Sequence, residues 1–238
     1  MLDFLLVIPT RNEEKYIMEV VKKADHILSR HYIHYKIVVA DGSSQDGTVG
    51  LVKKAMRQMP SLDLMANGES MERGTRIMRS FSKYNSKFYC SLDADMAPSL
   101  GALDDILERE IGKYDAVIGS RYAKPHLTIR PKLRMFVSRA YNSTVNILFH
   151  DGIMDHQCGL KIFDFKALGE LKAHSRERHW AWDTEAILIV RRAGLKMHEV
   201  PVYWIERRNK KIDIRRLLVD IVIFLPAIAR MYYNINFK

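Results

Sequence analysis

The sequence has little cysteine, no basic leader and no apolar run of transmembrane length, and each absence excludes a class of protein. Its two cysteines, Cys90 and Cys158, lie far apart and form no CxxC pair, which argues against a disulfide framework and a zinc site. The first apolar run is too short for a signal peptide and has no basic segment before it. The apolar stretch at residues 215–228 contains Asp220 and Pro226 and is shorter than the ~20 residues that a bilayer span needs. We therefore expect a protein of a reducing, cytoplasmic compartment that does not cross a membrane unaided.

Negative charge is also in deficit. The 238 residues include 38 Lys and Arg against 28 Asp and Glu, which gives a formal net charge of +10. This surplus favours an anionic partner such as nucleic acid, a membrane surface or a phosphorylated ligand. The basic residues are not interleaved with aromatic residues on one evident sheet face, which argues against nucleic acid. Hydrophobic residues make up 47% of the chain, and we expect one domain over residues 1–211 followed by a helical segment at residues 212–238.

Apolar runs of strand length alternate with helical patterns up to about residue 120, which predicts an α/β fold with a mainly parallel sheet and helices on both faces. The predicted strands lie at residues 3–9, 35–40, 61–66, 87–92 and 115–119, and the predicted helices at 13–30, 47–58, 70–83 and 99–112. The less regular second half has a helix at 132–149, a turn region at 151–161, a helix at 183–193 and a strand at 197–204. Ligands of such sheets collect outside the carboxyl ends of the strands, so the candidate loops begin at Pro9, Asp41, Asn67, Asp93 and Ser120.

Two carboxylates, Asp93 and Asp95, follow the fourth predicted strand in the order Asp-Ala-Asp. Carboxylates at positions i and i+2 can share a hard divalent cation such as Mg²⁺ or Mn²⁺, which would bridge donor phosphates and neutralise a departing diphosphate. The pattern alone is equally typical of a turn with two solvated aspartates. It gains weight from the loops that follow the other strands.

Hydrogen-bond acceptors follow the first and second strands. Glu13 lies in the loop at residues 9–14, and Asp41 begins an Asp-Gly-Ser loop. At the carboxyl end of a strand, either side chain can accept hydrogen bonds from ribose hydroxyls or from the imide N–H of a base. Capping of the next helices by Asn12 and Ser44 is the alternative interpretation of these loops. The first loop contains no glycine, unlike the Gly-rich phosphate loop expected of a nucleotidyltransferase.

Taken in order, these motifs resemble family 2 glycosyltransferases of the GT-A fold. The matching residues are Pro9-Thr10-Arg11-Asn12-Glu13, Asp41-Gly42-Ser43, Asp46-Gly47-Thr48, Asp93-Ala94-Asp95 and Gly119-Ser120-Arg121-Tyr122. Three later segments are similar to the dolichyl or polyprenyl phosphate branch of that family: Ser138-Arg139, Asp155-His156-Gln157-Cys158-Gly159-Leu160-Lys161 and Val200-Pro201-Val202. The resemblance implies a GT-A Rossmann-like sheet, a nucleotide-sugar donor, and Mg²⁺ or Mn²⁺ as the metal.

The resemblance also implies roles for individual residues. The nucleotide-binding residues would be Pro9, Thr10, Arg11, Glu13, Asp41, Ser43 and Asp93. The metal and the donor diphosphate would be held by Asp93 and Asp95, with Asp95 as the direct ligand. Arginines would gather around the acceptor phosphate and form the catalytic set together with Asp95: these are Arg121, Arg139 and Arg207. Guanidinium groups suit this task because they bind phosphate oxygens bidentately.

A phosphate acceptor changes what catalysis requires. A phosphate monoester has a second pKa of ~6 and is already largely ionised at neutral pH, so no catalytic base is obligatory. Charge stabilisation and positioning would then supply most of the rate acceleration. Displacement in one step at the anomeric carbon would invert its configuration, as the family does. If the acceptor were an alcohol, the base would be Asp155, Asp183 or Glu185.

The donor stays open between GDP-mannose and UDP-glucose, and the resemblance to dolichyl phosphate mannosyltransferases favours mannose. Ala40 and Arg11 depart from the family's usual residues in the nucleoside loops, and Ala97 replaces a polar residue after the metal pair. Arg73 is the nearest equivalent of the family's Gly-Lys-Gly lysine, and we expect only a weak diphosphate contact from it. A catalytically silent nucleotide-sugar-binding protein would keep the same motifs and is the remaining alternative.

A lipid-linked acceptor lies at a membrane surface, and the distribution of charge agrees with that location. A basic cluster at residues 207–211 precedes the apolar C-terminal stretch, which Arg215 and Arg230 flank. Basic residues beside an apolar helix draw a protein to anionic lipid, each contributing ~1 kcal/mol. We expect peripheral attachment to the cytosolic face of a membrane. The alternative role of this helix is packing within the protein or at a subunit interface.

Overall fold

The computed structural model describes residues 1–32, 34–66, 71–96, 100–124, 127–205 and 214–237, and in the last segment it describes the side chains of residues 224–235. The strands of its central sheet are β1 (Leu2–Thr10), β2 (Tyr35–Asp41), β3 (Leu62–Met65), β4 (Ser86–Ser91), β5 (Ala116–Ser120), β7 (Lys161–Asp164) and β8 (Met197–Pro201). Two short strands, β6 (Thr128–Ile129) and β9 (Trp204–Ile205), form a separate parallel pair.

The seven-stranded sheet has the order β3-β2-β1-β4-β7-β5-β8. Strand β7 runs antiparallel to its neighbours β4 and β5, and the other neighbouring strands pair in parallel. The carboxyl ends of β1, β2, β4 and β5 therefore meet at one edge of the sheet. The predicted α/β class with a mainly parallel sheet is confirmed.

Eight helices are present in the described part of the chain. They are α1 (Ile17–His31), α2 (Thr48–Met56), α3 (Arg73–Lys83), α4 (Leu100–Arg109), α5 (Lys132–Phe149), α6 (Phe165–His174), α7 (Trp182–Arg192) and α8 (Ile214–Phe237).

Alternation along β1 places a hydrophobic core on each face of the sheet, because successive side chains of a strand point to opposite faces. Phe4, Leu6 and Ile8 pack into a cluster that includes residues of α1 and α4. Leu5 and Val7 pack into a second cluster that includes residues of α3, α6 and α7. Helices thus cover both faces, as predicted.

The structure differs from the predicted elements in three places. The first helix begins at Ile17 instead of residue 13, because the backbone N–H groups of Glu13 and Glu14 bind side chains of the next loop. The predicted strand at 197–204 is two strands, since β8 ends at Pro201 in the central sheet and β9 begins at Trp204 in the separate pair with β6. Strand β7 and helix α6, which follow the predicted turn region, were not predicted.

The C-terminal helix α8 packs on the domain through α5 and α7. Tyr141 and Val145 of α5 and Leu188 of α7 meet Ile228 and Met231 of α8 in one buried cluster. Among the described residues, none of the helices combines the length and the apolarity that a bilayer span requires.

Candidate active site

The carboxyl ends of β1 and β2 lie side by side and carry the first group of predicted residues. Thr10 is the register partner of Asp41, and Gly42 N donates to the Thr10 carbonyl at 2.9 Å. Both Thr10 and Asp41 are buried. The Thr10 hydroxyl Oγ1 is enclosed and has no hydrogen-bond partner. An unpaired buried hydroxyl is costly, so a polar group of a ligand at this corner would be stabilised by it.

The loops after β1 and β2 bind each other. Asn12 N donates to Ser44 Oγ at 2.8 Å, and Gln45 N donates to Asn12 Oδ1 at 2.8 Å. Helices α1 and α2 have no side-chain cap, so the alternative interpretation, in which Asn12 and Ser44 cap them, is wrong. Asn12 and Ser43 adopt left-handed backbone conformations, with φ of 57° and 64°. Such conformations are unfavourable for residues other than glycine and persist here because the cross-loop hydrogen bonds hold them.

Most of the predicted nucleotide-binding residues come together at this corner. Pro9 and Glu13 are buried beside Thr10 and Asp41 along the two strand ends and loops, and the Ser43 hydroxyl is buried without a partner. Arg11 is exposed. Ser44 N donates to Asp41 Oδ2 at 3.0 Å, which fixes the orientation of this carboxylate.

Four alternating charges run inward from the end of β4. Arg73 Nη2 donates to Asp93 Oδ1 at 2.6 Å, and Nη1 of the same guanidinium contacts Asp183. Lys161 Nζ donates to Asp183 Oδ1 at 2.8 Å. Burial acts to lower the pKa of Arg73, but Asp183 and Asp93 outweigh it and raise that pKa, so the guanidinium keeps its charge. Arg73, expected only as a weak diphosphate contact, is a direct partner of Asp93.

The carboxylates of Asp93 and Asp95 suit a hard divalent cation, which takes oxygen ligands. Asp93 is confined on two sides, by Arg73 and by Gly159, where a Cβ atom would overlap the Asp93 carboxylate. Direct ligation of the metal by Asp95 stays a prediction. The departure at Ala97 lies outside the described residues, as does the loop that begins at Asn67.

Lys161 and Asp183 were not assigned to this part of the site from the sequence. Lys161 is fully buried and lies between Leu160 and Ile162, which are also buried. A lysine inside an apolar strand is rarely buried without a charged partner, and this was the signal that the sequence offered. Its partner Asp183 could not be identified without the fold, because it begins a different element, α7.

The second group of predicted residues follows β5. Arg121 Nε and Nη2 donate to the two oxygens of Asp155, each at 2.7 Å, and Arg121 N donates to Asp155 Oδ2 at 2.9 Å. Burial acts to raise the pKa of Asp155, but Arg121 outweighs it and the net pKa is lowered. Arg121 Nη1 has no hydrogen bond to the described residues. Contact of Arg121 with an acceptor phosphate stays a prediction that involves this one amino group.

Tyr122 lies between arginines from two elements. The Arg121 and Arg139 guanidinium carbons lie 5.8 Å and 5.7 Å from the centre of its ring. Arg130, which was not a predicted site residue, donates to Ser138 Oγ at 3.1 Å and to Tyr122 Oη at 3.4 Å. Three cations thus surround one aromatic ring next to the site. The third predicted arginine, Arg207, lies outside the described residues together with the basic cluster at 207–211.

Each of the three carboxylates considered as a catalytic base is buried and already bound. Asp155 is held by Arg121, and Asp183 is held by Arg73 and Lys161. Glu185 accepts hydrogen bonds from Ser175 Oγ at 2.8 Å, from Arg176 N at 3.0 Å and from Glu177 N at 2.9 Å. These bonds give all three carboxylates a structural role.

The chain is similar to known proteins in sequence and in fold. The model of the family described as Glycosyl transferase family 2 matches residues 5–172, well over half of the chain. Glycosyltransferase AglD of Haloferax volcanii is 28% identical over 98% of this chain, and the match covers 37% of its own length. Dolichyl-phosphate beta-glucosyltransferase ALG5A of Trichomonas vaginalis is 28% identical over 90% of this chain and 69% of its own. The chain thus spans little more than a third of the first of these relatives.

Solved structures share the architecture. Glucosyl-3-phosphoglycerate synthase from Mycobacterium tuberculosis, in complex with Mn²⁺, uridine-diphosphate and phosphoglyceric acid, superposes with a TM-score of 0.67 at 14% identity. The superposition covers 97% of this chain and 78% of that one. At this identity the likeness shows the fold alone.

Proposed function

The chain belongs to glycosyl transferase family 2 and has the GT-A fold, and from this premise we propose that it transfers glucose from UDP-glucose to a dolichyl or polyprenyl phosphate. The transfer would invert the anomeric configuration and would take place at a membrane surface. The enzyme is a glycosyltransferase, and the identities of sugar, nucleotide, metal and acceptor are the parts proposed here.

We propose that the transferred sugar is glucose, although the sequence motifs alone favoured mannose. The relatives named dolichyl-phosphate beta-glucosyltransferase support it, among them ALG5A of Trichomonas vaginalis. The uridine-diphosphate in the similar solved structure supports UDP as the carrier. At the corner formed by β1 and β2, the buried hydroxyls of Thr10 and Ser43 and the carboxylate of Asp41 would meet the nucleoside. GDP-mannose is the alternative donor to be compared in the same assay.

We propose that Mg²⁺ or Mn²⁺ would be held by Asp95 with support from Asp93. Once bound, the ion would neutralise charge on the departing diphosphate. Arg73, bound to Asp93 at 2.6 Å, supplies a fixed positive charge at the same place and would assist that neutralisation. Asp183, which is itself bound by Lys161, contacts the guanidinium of Arg73 and would keep it oriented.

The observation that carries the acceptor assignment is the gathering of cations in a site whose three candidate bases, all within the described residues, are already bound. Arg121, Arg130 and Arg139 surround Tyr122, whereas the candidate bases are each bound in the interior. An ionised phosphate needs positive charge to hold and orient it, but no base to take a proton. The site is therefore better suited to a phosphate acceptor than to an alcohol.

The surface beside these arginines supports a lipid-linked acceptor. The exposed apolar side chains of Ile129, Leu133 and Phe136 lie at the amino-terminal end of α5, and Phe136 is 70% exposed. Lys132 and Arg134 belong to the same turn of the helix. Exposed apolar groups among basic residues are typical of helices that bind anionic membranes peripherally. We propose that this end of α5 faces the cytosolic membrane surface.

The test is a transfer assay with two donors and two acceptors. The protein is incubated with Mn²⁺, with UDP-glucose or GDP-mannose, and with dolichyl phosphate or dolichol in detergent, and the lipid product is identified by mass spectrometry. We expect glucosyl phosphoryl dolichol, with a β linkage by NMR. Transfer only to dolichol would refute the phosphate acceptor, and mannosyl product alone would refute glucose. Nucleotide binding without any transfer would favour a silent nucleotide-sugar-binding protein.

A further inference from the structure

Arg76 is a buried cation in the donor corner that the proposed chemistry does not use. It lies in the first turn of α3 and is 8% exposed. Its Nη1 atom donates to the main-chain carbonyl of Thr10 and, at 3.2 Å, to that of Ala40. Its Nε atom is buried without a partner. Among the described residues it forms no ion pair with a carboxylate.

This environment is unfavourable for a charge. Burial and, to a smaller extent, repulsion from Arg73 together lower the pKa of Arg76 to about 10, although attraction from Asp41 acts in the opposite direction. Buried charges are normally neutralised by a hydrogen-bonded partner, and the cost of leaving one without such a partner is large. A buried arginine that binds only carbonyl oxygens therefore needs an explanation beyond packing.

The position of the Arg76 guanidinium offers an explanation for its burial. Thr10 ends β1 and Ala40 is the penultimate residue of β2, so the two bonds from Nη1 join the strand ends that lead into the nucleoside loops. Gly42 is pressed against the same group, because a Cβ atom at this residue would overlap the guanidinium. Asp41 lies between Ala40 and Gly42, and its charge attracts Arg76.

We propose that Arg76 is a positioning residue for the nucleoside of the donor. Its guanidinium holds the ends of β1 and β2 together and places a positive charge behind Asp41, so that the loops bearing Thr10, Asp41 and Ser43 are preorganised before the donor binds. This inference rests on the proposed nucleotide-sugar donor. It assigns Arg76 to donor affinity and leaves the chemical step and the acceptor to other residues.

The test compares three variants of α3. Arg76→Met keeps the approximate length of the side chain and removes its charge and its hydrogen-bond donors. Arg76→Lys keeps a positive charge on an ammonium group that can donate to the carbonyls of Thr10 and Ala40. Arg79→Met is the matched control, since Arg79 is exposed one turn away on the same helix. UDP binding in the presence of Mn²⁺ is measured by calorimetry, and donor KM, acceptor KM and kcat are measured in the transfer assay.

In Arg76→Met we expect UDP affinity to fall roughly tenfold or more, as for loss of a hydrogen bond to a charged group, with donor KM rising by the same factor. The acceptor KM and the kcat at saturating donor should change by less than about threefold. Arg76→Lys should recover most of the affinity, and Arg79→Met should resemble the wild type. Gly42→Ala, which displaces the guanidinium without removing its charge, should also weaken UDP binding, and it provides the test if Arg76→Met does not fold.

The outcomes separate this inference from the proposed function. A wild-type protein that binds no UDP would overturn the proposed donor, whatever Arg76 does. A wild-type protein that binds UDP, with Arg76→Met and Gly42→Ala binding it equally well, would overturn the role of Arg76. The role of Arg76 would also be overturned if kcat fell while donor KM and acceptor KM both rose by similar factors, because that pattern indicates general structural damage.

Discussion

Arg73 and Asp93 form an ion pair at the carboxyl end of β4, with 2.6 Å between Nη2 and Oδ1. Asp183 binds the other side of the same guanidinium and also accepts a hydrogen bond from Lys161 at 2.8 Å. The first aspartate of the candidate metal pair is therefore connected to the interior through three charged side chains from α3, α7 and β7. Its orientation depends on those three elements as well as on its own loop.

Removal of the Arg73 charge should impair the chemical step. In Arg73→Met we expect kcat/KM to fall roughly a hundredfold, which is the scale for loss of one preorganised group that stabilises developing negative charge. The Mn²⁺ concentration for half-maximal rate should also fall, because Asp93 would no longer be neutralised by Arg73. Steady-state rates over a Mn²⁺ titration measure both effects, with Arg79→Met as the control. An unchanged kcat/KM would contradict the role of Arg73.

Asp95 should contribute to metal-dependent turnover and not to UDP binding in the absence of metal. In Asp95→Asn we expect turnover to fall by roughly a hundredfold or more, since the ligand that holds the ion at the leaving diphosphate would be weakened. UDP binding measured with EDTA should be unchanged. Asp105→Asn, on the exposed side of α4, is the matched control. Full turnover by Asp95→Asn would exclude Asp95 as the metal ligand.

The Arg121–Asp155 pair should be a large contributor to stability. Asp155→Asn leaves a buried guanidinium without its counter-charge, and loss of one partner of a buried pair costs about 3–5 kcal/mol of unfolding free energy. The double variant Arg121→Met with Asp155→Leu removes both charges and should lose clearly less. Urea unfolding of the two variants and the wild type measures this difference. If Asp155→Asn were no less stable than the double variant, the pair would not be a buried ion pair in solution.

The same pair predicts a dependence of stability on pH. Burial acts to raise the pKa of Asp155, but Arg121 outweighs it and holds that pKa below the usual value of 3.8. A carboxyl group with a lowered folded-state pKa contributes stability above its unfolded pKa, and this stability is lost as the pH falls through the folded value. Between pH 6 and pH 3, the unfolding free energy should therefore fall more steeply for the wild type than for the double variant. Equal slopes would contradict this assignment.

The C-terminal helix should contribute to the stability of the domain. Met231 is fully buried against α5 and α7, and Met231→Ala should lower the unfolding free energy by about 2–5 kcal/mol, as for other truncations in a core. Leu225, which is 59% exposed on the same helix, is the control, and Leu225→Ala should change stability by less than about 0.5 kcal/mol. Similar small effects of both variants would indicate that α8 does not pack on the domain in solution.

The sequence by itself determined the features that depend on local pattern. Alternation of apolar runs with helical patterns predicts the α/β class, and the motifs at Asp41 and Asp93 follow strands whose ends the structure brings to one edge of the sheet. These predictions succeed because a strand of a parallel sheet and its following loop are encoded in consecutive residues, and because parallel strands present their carboxyl ends together.

The tertiary structure alone decided which charges are paired. Arg73 and Asp183 are 110 positions apart, and Arg76 and Thr10 are 66 positions apart. Strand β7 was missed because it is short and is inserted antiparallel between β4 and β5, so its register depends on distant partners. Whether Asp155, Asp183 or Glu185 could act as a base was undecidable from the sequence for the same reason. The availability of a carboxylate depends on the groups that surround it in space, and the fold brings those groups from separate parts of the chain.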